Sequence, residues 1–281
     1  MGNGKVGLFS DGFAVLMAVY YKDNVSLFEM AVKSVFRNSL LPMQFLIVVD
    51  GPLTVELNNI VKRLKIDFPS LEFLELKENK GLAIALNEGL KLIRFPWVIR
   101  ADADDYNLPE RFFTLAKVLE KNPNLDLLGS AILEVDEEGR EIAYRNPPQC
   151  KDEIRKYIKF RSPFNHMSVV FKLKKVLELG GYPNIFLKED YALWANFISH
   201  DSIVKNIPNV LVRVTAGNEM YKRRGGLRYV RSEIELQKFL IKLGLQSKFG
   251  GIVAGSLRSI VFLMPNRIRT LFYLNFLRKR F

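Results

Sequence analysis

The stretch WVIRADADD, residues 97–105, joins an apolar run to three carboxylates within four residues. Such a continuous apolar run is typical of a strand that is buried on both faces of a sheet. Carboxylates this close repel one another unless a cation lies among them, and Mg²⁺ typically binds one or two carboxylates together with phosphate oxygens of a substrate. Open α/β sheets hold ligands just beyond the carboxyl ends of their strands. The stretch therefore predicts a strand that ends at a divalent-metal site, and an acidic turn before a helix is the alternative.

Apolar runs of this kind alternate with helical patterns through the first third of the chain. The runs occupy residues 13–19, 45–49, 71–76 and 97–100, and helix-spaced apolar residues lie between them at 27–36, 54–65 and 82–93. This alternation indicates an α/β fold with a parallel sheet covered by helices on both faces. The loops after the four strands should then converge on one edge of the sheet. These loops are residues 20–22, 50–51, 79–81 and 102–105.

The chain beyond residue 105 predicts a mixture of strands and helices. Its apolar spacing indicates helices over 109–119, 151–159, 172–179 and 189–198, a hairpin over 125–144, and strands over 166–171 and 203–214. The helix over 189–198 carries Glu189 and Asp190 in its first turn, where the helix dipole favours acids.

The positive charge of the chain lies in its last part. The net charge is +12 at pH 7. Residues 221–281 contain 14 Lys and Arg against 2 Glu, whereas the other 220 residues contain 28 basic and 28 acidic side chains. A nucleic-acid-binding surface spread over the fold is therefore not supported, and we expect no nucleic-acid partner.

Cysteine content and hydropathy indicate a cytosolic protein. Cys150 is the single cysteine, which suits a reducing compartment. The first residues lack the apolar core of a signal peptide. The best apolar run, residues 250–264, is interrupted by Arg258, so no membrane span is expected.

The basic part of the chain is predicted to be helical. One amphipathic helix is expected over 226–243, an apolar segment follows over 249–264, and a third helix is expected over 268–281. Basic amphipathic helices lie in the headgroup region of anionic bilayers. Packing of these helices on the preceding domain, with solvated charges, is the alternative.

Five short motifs, taken together and in order, resemble family 2 glycosyltransferases. They are MAVY at 17–20, VDG at 49–51, NKGLAIALN at 79–87, DAD at 102–104 and KEDY at 188–191. Each motif alone is weak, but their order and spacing make the combination specific. YYK at 20–22 and MYKRRGG at 220–226 resemble the amylovoran-type enzymes that build bacterial exopolysaccharide, capsule and O-antigen.

The resemblance implies the GT-A fold, a mostly parallel, doubly wound α/β sheet with flanking helices and a C-terminal helical extension. Residues 1–220 would form the transferase domain, with a nucleotide-sugar half at about 12–106 and an acceptor half at about 107–220. Residues 221–281 would form the basic amphipathic tail.

The function implied by the resemblance is an inverting transfer of one sugar from a nucleotide-diphosphate sugar to a hydroxyl of an acceptor. A UDP-sugar donor is favoured, and the acceptor is expected to be a lipid-linked glycan at the inner face of a bacterial plasma membrane. A bound Mg²⁺ or Mn²⁺ would neutralise charge on the leaving diphosphate. Processive synthases of this broad family carry a Gln-x-x-Arg-Trp segment and membrane spans, and the sequence has neither.

The resemblance also assigns roles to the acidic residues. Asp104 is expected to bind the metal directly, with Asp102 nearer the ribose or a metal-bound water, and Asp105 is expected to cap the following helix. Asp190 matches the family's catalytic base, with Glu189 as the alternative. Simple capping of a helix start remains an alternative for both of these residues.

The remaining site residues are expected to surround the donor. Asp50 would accept the N–H of uracil, and a turn residue is its alternative role. His166 would lie near the acceptor or the diphosphate, with a structural histidine as the alternative. Lys80 and Arg100 would contact phosphates, although Lys80 is also plausible as a solvated charge. The donor-side set comprises Ala18, Tyr20, Asp50, Asn79, Lys80, Gly81, Arg100, Asp102, Ala103 and His166.

Two other functions are compatible with parts of the pattern. A sugar nucleotidyltransferase shares the sheet and the carboxylates, but its first loop is usually glycine-rich, and YYKD at 20–23 has no glycine. A non-catalytic membrane-binding protein would use the basic tail alone. It would tolerate replacement of Asp102, Asp104 and Asp190 by Asn.

Overall fold

One mixed sheet runs through the residues that the computed structural model describes, which are 11–136, 138–215 and 225–265. Its strands are β1 (Phe13–Val19), β2 (Gln44–Val49), β3 (Leu71–Glu75), β4 (Trp97–Arg100), β5 (Asp105–Asn107), β6 (Leu127–Val135), β7 (Glu141–Arg145), β8 (Val170–Lys172) and β9 (Val204–Thr215). Their order is β3-β2-β1-β4-β8-β6-β9-β5, and β7 pairs with β6.

The first four strands form the parallel half of the sheet. β1 pairs in parallel with both β2 and β4, and β2 pairs in parallel with β3. The other strands pair in both directions: β8 is antiparallel to β4 and β6, and β9 is parallel to β6 and antiparallel to β5. The carboxyl ends of the first four strands therefore lie on one edge, as the alternation in the sequence predicts.

Helices cover both faces of this sheet. They are α1 (Val25–Phe36), α2 (Val55–Asp67), α3 (Leu82–Leu90), α4 (Arg111–Lys121), α5 (Lys151–Tyr157), α6 (Leu173–Glu178), α7 (Glu189–Ser199), α8 (Leu227–Lys242) and α9 (Lys248–Leu263). Three of them begin at a residue whose side chain accepts a backbone N–H of the first turn, and these caps are Asn24, Thr54 and Ser247.

Two apolar cores result from the alternation of side chains along the buried strands. In β1, Phe13, Val15 and Met17 pack against one face, where α1, α2 and α4 lie. Ala14 and Leu16 pack against the other, where α3, α5, α6, α7 and α8 lie. The predicted doubly wound architecture is thereby confirmed.

Two local predictions are wrong. Asp105 does not cap a helix, because it begins β5 and pairs with Val214 of β9, and α4 begins only at Arg111. The predicted strand over 166–171 starts later: residues His166–Ser168 form a 3₁₀ turn, and β8 begins at Val170. The Ser168 hydroxyl lies within hydrogen-bond distance of the carbonyls of Asn165 and Ser130, which stabilises the turn in the core.

The last two described helices pack on each other and on the sheet domain. α8 contributes Leu236 and Leu240 to the core that contains α7. α9 packs along α8 at Gly251 and Gly255. A Cβ at Gly251 would lie 2.7 Å from the Ile241 side chain of α8, so the glycine allows the two helices to approach closely. Among the described residues, no helix combines the length and the hydropathy that a membrane span needs. The predicted helix over 268–281 and most of the motif at 220–226 lie outside the described residues.

Candidate active site

Asp50 holds two of the predicted loops together at the carboxyl edge of the sheet. It follows β2, and its carboxylate oxygens accept the backbone N–H groups of Lys80 (2.8 Å) and Gly81 (3.0 Å) in the loop after β3. Asn79 donates its side-chain amide to the Asp50 carbonyl at 3.1 Å. Gly51 is needed beside this contact, because a Cβ there would lie 2.4 Å from the Asn79 backbone nitrogen.

The other predicted donor-side residues of this edge are more exposed. Tyr20 is half-buried, its backbone N–H donates to Asp23 at 2.9 Å, and Ala18 before it is also half-buried. The Lys80 ammonium lies 3.6 Å from the exposed Glu78 carboxylate. Lys80 therefore contributes its backbone N–H to the loop, and its ammonium lies at the surface.

The acidic residues after β4 form the cluster that the sequence predicts. Carboxylate oxygens of Asp102, Asp104 and Asp105 all lie within 4.8 Å of one another. Asp104 is exposed, Asp102 is half-buried, and Asp105 is buried with Ala103. Such a set of hard oxygen donors at three depths suits a divalent cation.

Buried arginines neutralise part of this charge. Arg100 is 1% exposed, and its Nη2 lies 2.5 Å from Asp102 Oδ1. Arg111, also buried, donates its Nη2 to the Arg100 carbonyl at 2.8 Å and its Nη1 to Asn107. Burial lowers the pKa of Arg111 to about 9, while the charges of Asp105 and Asp102 oppose that shift. Arg111 was not among the residues that the sequence analysis selected.

Asp105 supports a cation in the cluster. Burial, with the charges of Asp104 and Asp102, raises the pKa of Asp105 well above its usual range. Its Oδ1 accepts the Thr215 backbone N–H at 3.3 Å, and its Oδ2 is buried without a hydrogen-bond partner among the described residues. A carboxylate oxygen with no donor beside it is a group that a cation would satisfy. The residues present therefore fit a divalent metal.

The charges of this cluster and of the start of α7 both act on His166. Its ring is buried, and its Nε2 lies 3.1 Å from the Tyr182 hydroxyl. Burial and then the charge of Arg100 lower the pKa of His166 to about 4, against the opposing charges of Asp102 and Asp190. The imidazole is therefore neutral at pH 7, where it serves as a hydrogen-bonding group and adds no positive charge.

Glu189 and Asp190 lie in the first turn of α7. Burial raises the pKa of Glu189 to about 7, with contributions from the charges of Asp190 and Asp102. Asp190 is half-buried. Burial also raises the pKa of Tyr182, and the charges of Asp190, Asp102 and Glu189 add to that effect.

The structure therefore brings most of the predicted residues together in two groups on one sheet edge. One group is the Asp50 loop contact with Asn79, Lys80 and Gly81. In the other, Arg100, Asp102, His166, Glu189 and Asp190 act on one another electrostatically. A site with clustered acids on one side and a carboxylate of raised pKa on the other suits a displacement at a charged substrate.

Comparison with known proteins identifies the family of this chain. The model of the family described as glycosyl transferase family 2 matches residues 15–179, more than half of the chain. The chain is 34% identical over 267 residues to the UDP-Gal:alpha-D-GlcNAc-diphosphoundecaprenol beta-1,3-galactosyltransferase of Escherichia coli, covering 95% of this chain and 97% of that protein. It is 33% identical over 261 residues to the amylovoran biosynthesis glycosyltransferase AmsE of Erwinia amylovora, covering 93% of this chain and 97% of that protein.

A solved structure shows the same fold at low sequence identity. The mannosyltransferase PcManGT from Pyrobaculum calidifontis, in complex with GDP-Man and Mn²⁺, superposes with a TM-score of 0.59 at 15% identity, over 92% of this chain and 78% of that one. The fold is the GT-A fold, as predicted. The match to the family model and the two relatives show that this chain belongs to glycosyl transferase family 2 and is a glycosyltransferase.

Proposed function

We propose that the protein is a metal-dependent, inverting glycosyltransferase that adds one sugar to a lipid-linked glycan during bacterial surface polysaccharide synthesis. The observation that carries the proposal is the placement of two carboxylate groups at one site. The cluster of Asp102, Asp104 and Asp105 lies after β4, and Glu189 and Asp190 begin α7. The charges of Asp102 and Asp190 both act on His166.

The donor half holds the nucleotide diphosphate in this proposal. Asp104 and Asp102 are the metal-binding residues, and the buried Asp105 adds a third oxygen within reach. The ion, Mg²⁺ or Mn²⁺, supplies neutralisation of the charge that develops on the leaving diphosphate. The Mn²⁺ in the complex of PcManGT supports this choice of cofactor.

Asp50 and its loop form the proposed nucleobase pocket. Each carboxylate oxygen of Asp50 accepts one backbone N–H and has a further lone pair, which can accept the N–H of uracil. Tyr20, Ala18 and Asn79 would line the same pocket. A UDP-sugar is the favoured donor, and the name of the Escherichia coli relative supports it.

The acceptor half supplies the base. The acceptor oxygen forms a bond to the anomeric carbon while the bond from that carbon to the diphosphate breaks, so the configuration inverts. The hydroxyl proton passes to the carboxylate of Asp190, and general-base help of this kind is worth ~10²–10⁴ in rate. Glu189 is the alternative base, since a pKa of about 7 suits proton transfer near neutral pH.

A location at the bilayer surface follows from the acceptor. The Escherichia coli relative is named for a diphosphoundecaprenol-linked acceptor, and a polyprenyl chain resides in a membrane. Residues 221–281, with 14 basic side chains, would be attracted to anionic headgroups at the cytoplasmic face. Each Lys or Arg near such a surface contributes about 1 kcal/mol.

The test separates the two halves of the site by variant. Asp104→Asn should remove the thermal stabilisation that UDP gives in the presence of Mn²⁺; a ligand at a hundred times its Kd adds about 2.7 kcal/mol to wild type. Asp190→Asn should keep that stabilisation and lower kcat for transfer to a synthetic lipid-diphosphate sugar by ~10²–10⁴.

Glu178→Gln, at an exposed carboxylate of α6, is the matched control and should behave as wild type. Equal stabilisation of wild type and Asp104→Asn by Mn²⁺ with UDP would remove the metal assignment. Full transfer by Asp190→Asn, with loss in Glu189→Gln, would move the base to Glu189.

A further inference from the structure

One side of α9 is apolar and exposed along the whole helix. Its side chains recur at helical spacing: Phe249 (78% exposed), Ile252 (67%), Val253 (41%), Leu257 (61%), Ile260 (57%) and Leu263 (56%). We call these six residues the α9 apolar face. A contiguous exposed apolar face of this kind marks a protein or membrane interaction site, because isolated exposed apolar residues are normal but a continuous row is not.

The opposite side of the same helix packs against the domain and includes the one charged residue in the helix interior. Gly251, Gly255 and Phe262 are buried towards the domain. Arg258 points the same way, and its Nη1 lies 2.6 Å from the buried Glu233 carboxylate of α8. The other charged residue of α9, Lys248, lies at its first position. The exposed side of the helix is therefore apolar, and Arg258, the one charged residue in its interior, faces the domain.

The exposed charges of α8 and α9 favour an anionic partner. Arg228, Arg231, Lys238, Lys242 and Lys248 are exposed on α8 and α9, and Glu235 is the one exposed acid among the described residues of that pair. Residues 221–281 as a whole hold 14 basic side chains against 2 acidic ones. Two copies of such a segment would repel each other, whereas an anionic bilayer would attract it.

We propose that the α9 apolar face docks on the surface of an anionic phospholipid bilayer. The six apolar side chains enter the boundary between headgroups and acyl chains, and exposed cations of α8 and α9 bind lipid phosphates, as in interfacial amphipathic helices. Only the role of this surface, which is to bring the protein to a lipid-linked acceptor, rests on the proposed function. Binding to lipid itself requires no catalysis.

The position of α9 makes this surface relevant to the acceptor. Glu233 also lies 3.1 Å from the ammonium of Lys188, the residue before Glu189 and Asp190. Through Glu233, α9 is therefore connected to the helix start that carries Glu189 and Asp190.

The experiment uses the full chain and vesicles with or without phosphatidylglycerol. The variant Ile252→Gln/Leu257→Gln/Ile260→Gln changes the α9 apolar face and no buried side chain. The matched control is Leu41→Gln/Met43→Gln/Ile66→Gln, three exposed apolar residues of the donor half. In flotation assays, the α9 variant should bind anionic vesicles at least tenfold more weakly than wild type, and the control should bind as wild type does. Binding of wild type to purely zwitterionic vesicles should be weaker than to anionic ones.

Two further measurements separate the alternatives. Transfer to a soluble, short-chain acceptor should be the same in wild type and in the α9 variant. A wild-type protein that binds anionic vesicles but transfers no sugar would count against the proposed function alone. Unchanged vesicle binding by the folded α9 variant would overturn the docking surface. A wild-type dimer in sedimentation equilibrium that the α9 variant converts to a monomer would identify a second copy as the occupant, and would also overturn it.

Discussion

Glu189 and Asp190 are neighbours in sequence but occupy different environments. Successive residues of a helix point about 100° apart. At the start of α7 this places Glu189 among buried groups, with a pKa of about 7, and leaves Asp190 half-buried at the site. The pair therefore offers one buried carboxyl whose pKa lies near neutral pH and one that is partly accessible to solvent.

The raised pKa of Glu189 has a defined effect on stability. In the unfolded chain the group ionises near pH 4.5, so the folded state binds more protons between pH 4.5 and about 7 and wild type loses stability as the pH rises through that window. Glu189→Gln removes this loss. The difference in free energy of unfolding, variant minus wild type, should therefore increase by up to roughly 3 kcal/mol from pH 5 to pH 8, as measured by urea denaturation.

The control for this change is again Glu178→Gln, whose difference from wild type should stay constant between the two pH values. A constant difference for Glu189→Gln as well would show that Glu189 ionises normally in the folded protein.

Some site residues could be predicted from the sequence, and others could not. Asp102 and Asp104 follow an apolar run directly, so a local pattern was enough to select them. Arg111 is different, because it occupies a core-facing position in α4 with Phe112 and Leu115. Its role depends on the Arg100 carbonyl and on Asp105 nearby in space, and nothing in the local pattern distinguishes it from a surface arginine at a helix start.

A buried ion cluster connects three helices beside the site. Glu233 of α8 is fully buried, and it lies 3.1 Å from Lys188 at the start of α7 and 2.6 Å from Arg258 of α9. The Lys188 ammonium also lies 4.5 Å from the Tyr229 ring centre. Because buried charges are costly to desolvate, such a cluster is weak evidence for stability, but it joins the residue before α7 to α8 and α9.

Removing the central carboxylate should be costly. Glu233→Ala leaves the buried Lys188 ammonium and the half-buried Arg258 guanidinium without this carboxylate, so the free energy of unfolding should fall by about 3–5 kcal/mol in chemical denaturation. Adding Arg258→Met should recover part of the loss, because one of the unpaired cations is then gone. Glu235→Ala, two residues away at an exposed position, should change the value by less than about 0.5 kcal/mol. A similar effect of Glu233→Ala and Glu235→Ala would mean that the cluster does not hold the helices.

The helices and strands differ in how far local sequence determines them. The strands of the parallel half were predictable, because a run of apolar residues between turn residues is a local signal. The 3₁₀ turn at residues 166–168 was not, since its hydroxyl contacts reach Ser130 across the sheet. β5 was missed for the same reason: its three residues are a strand only through pairing with β9, over a hundred positions later. The tail beyond residue 265 stays a prediction.

The two predicted halves, residues 12–106 and 107–220, share one sheet and both cores. Antiparallel pairing of β8 with β4 joins them, and each core draws residues from both halves. The two tryptophans of the chain report on the two cores separately, since Trp97 packs on one face of the sheet and Trp194 on the other. The predicted division into halves therefore does not correspond to two separate cores.

A single unfolding transition is the expected result. In the variants Trp97→Phe and Trp194→Phe, the remaining tryptophan's fluorescence and the far-ultraviolet circular dichroism should give coincident midpoints in urea. Different fluorescence and dichroism midpoints within one variant would show that the two faces unfold independently.

The burial of Leu236 and Leu240 has a practical consequence for anyone who shortens this chain. A fragment that stops before α8 would expose the apolar surface that Leu236 and Leu240 cover. It would also leave the Lys188 ammonium without the Glu233 carboxylate. Such a fragment should precipitate during expression, whatever the integrity of its catalytic residues. Recombinant versions intended for crystallisation therefore have to extend through Leu263. Their purification has to prevent association through the exposed apolar residues of α9.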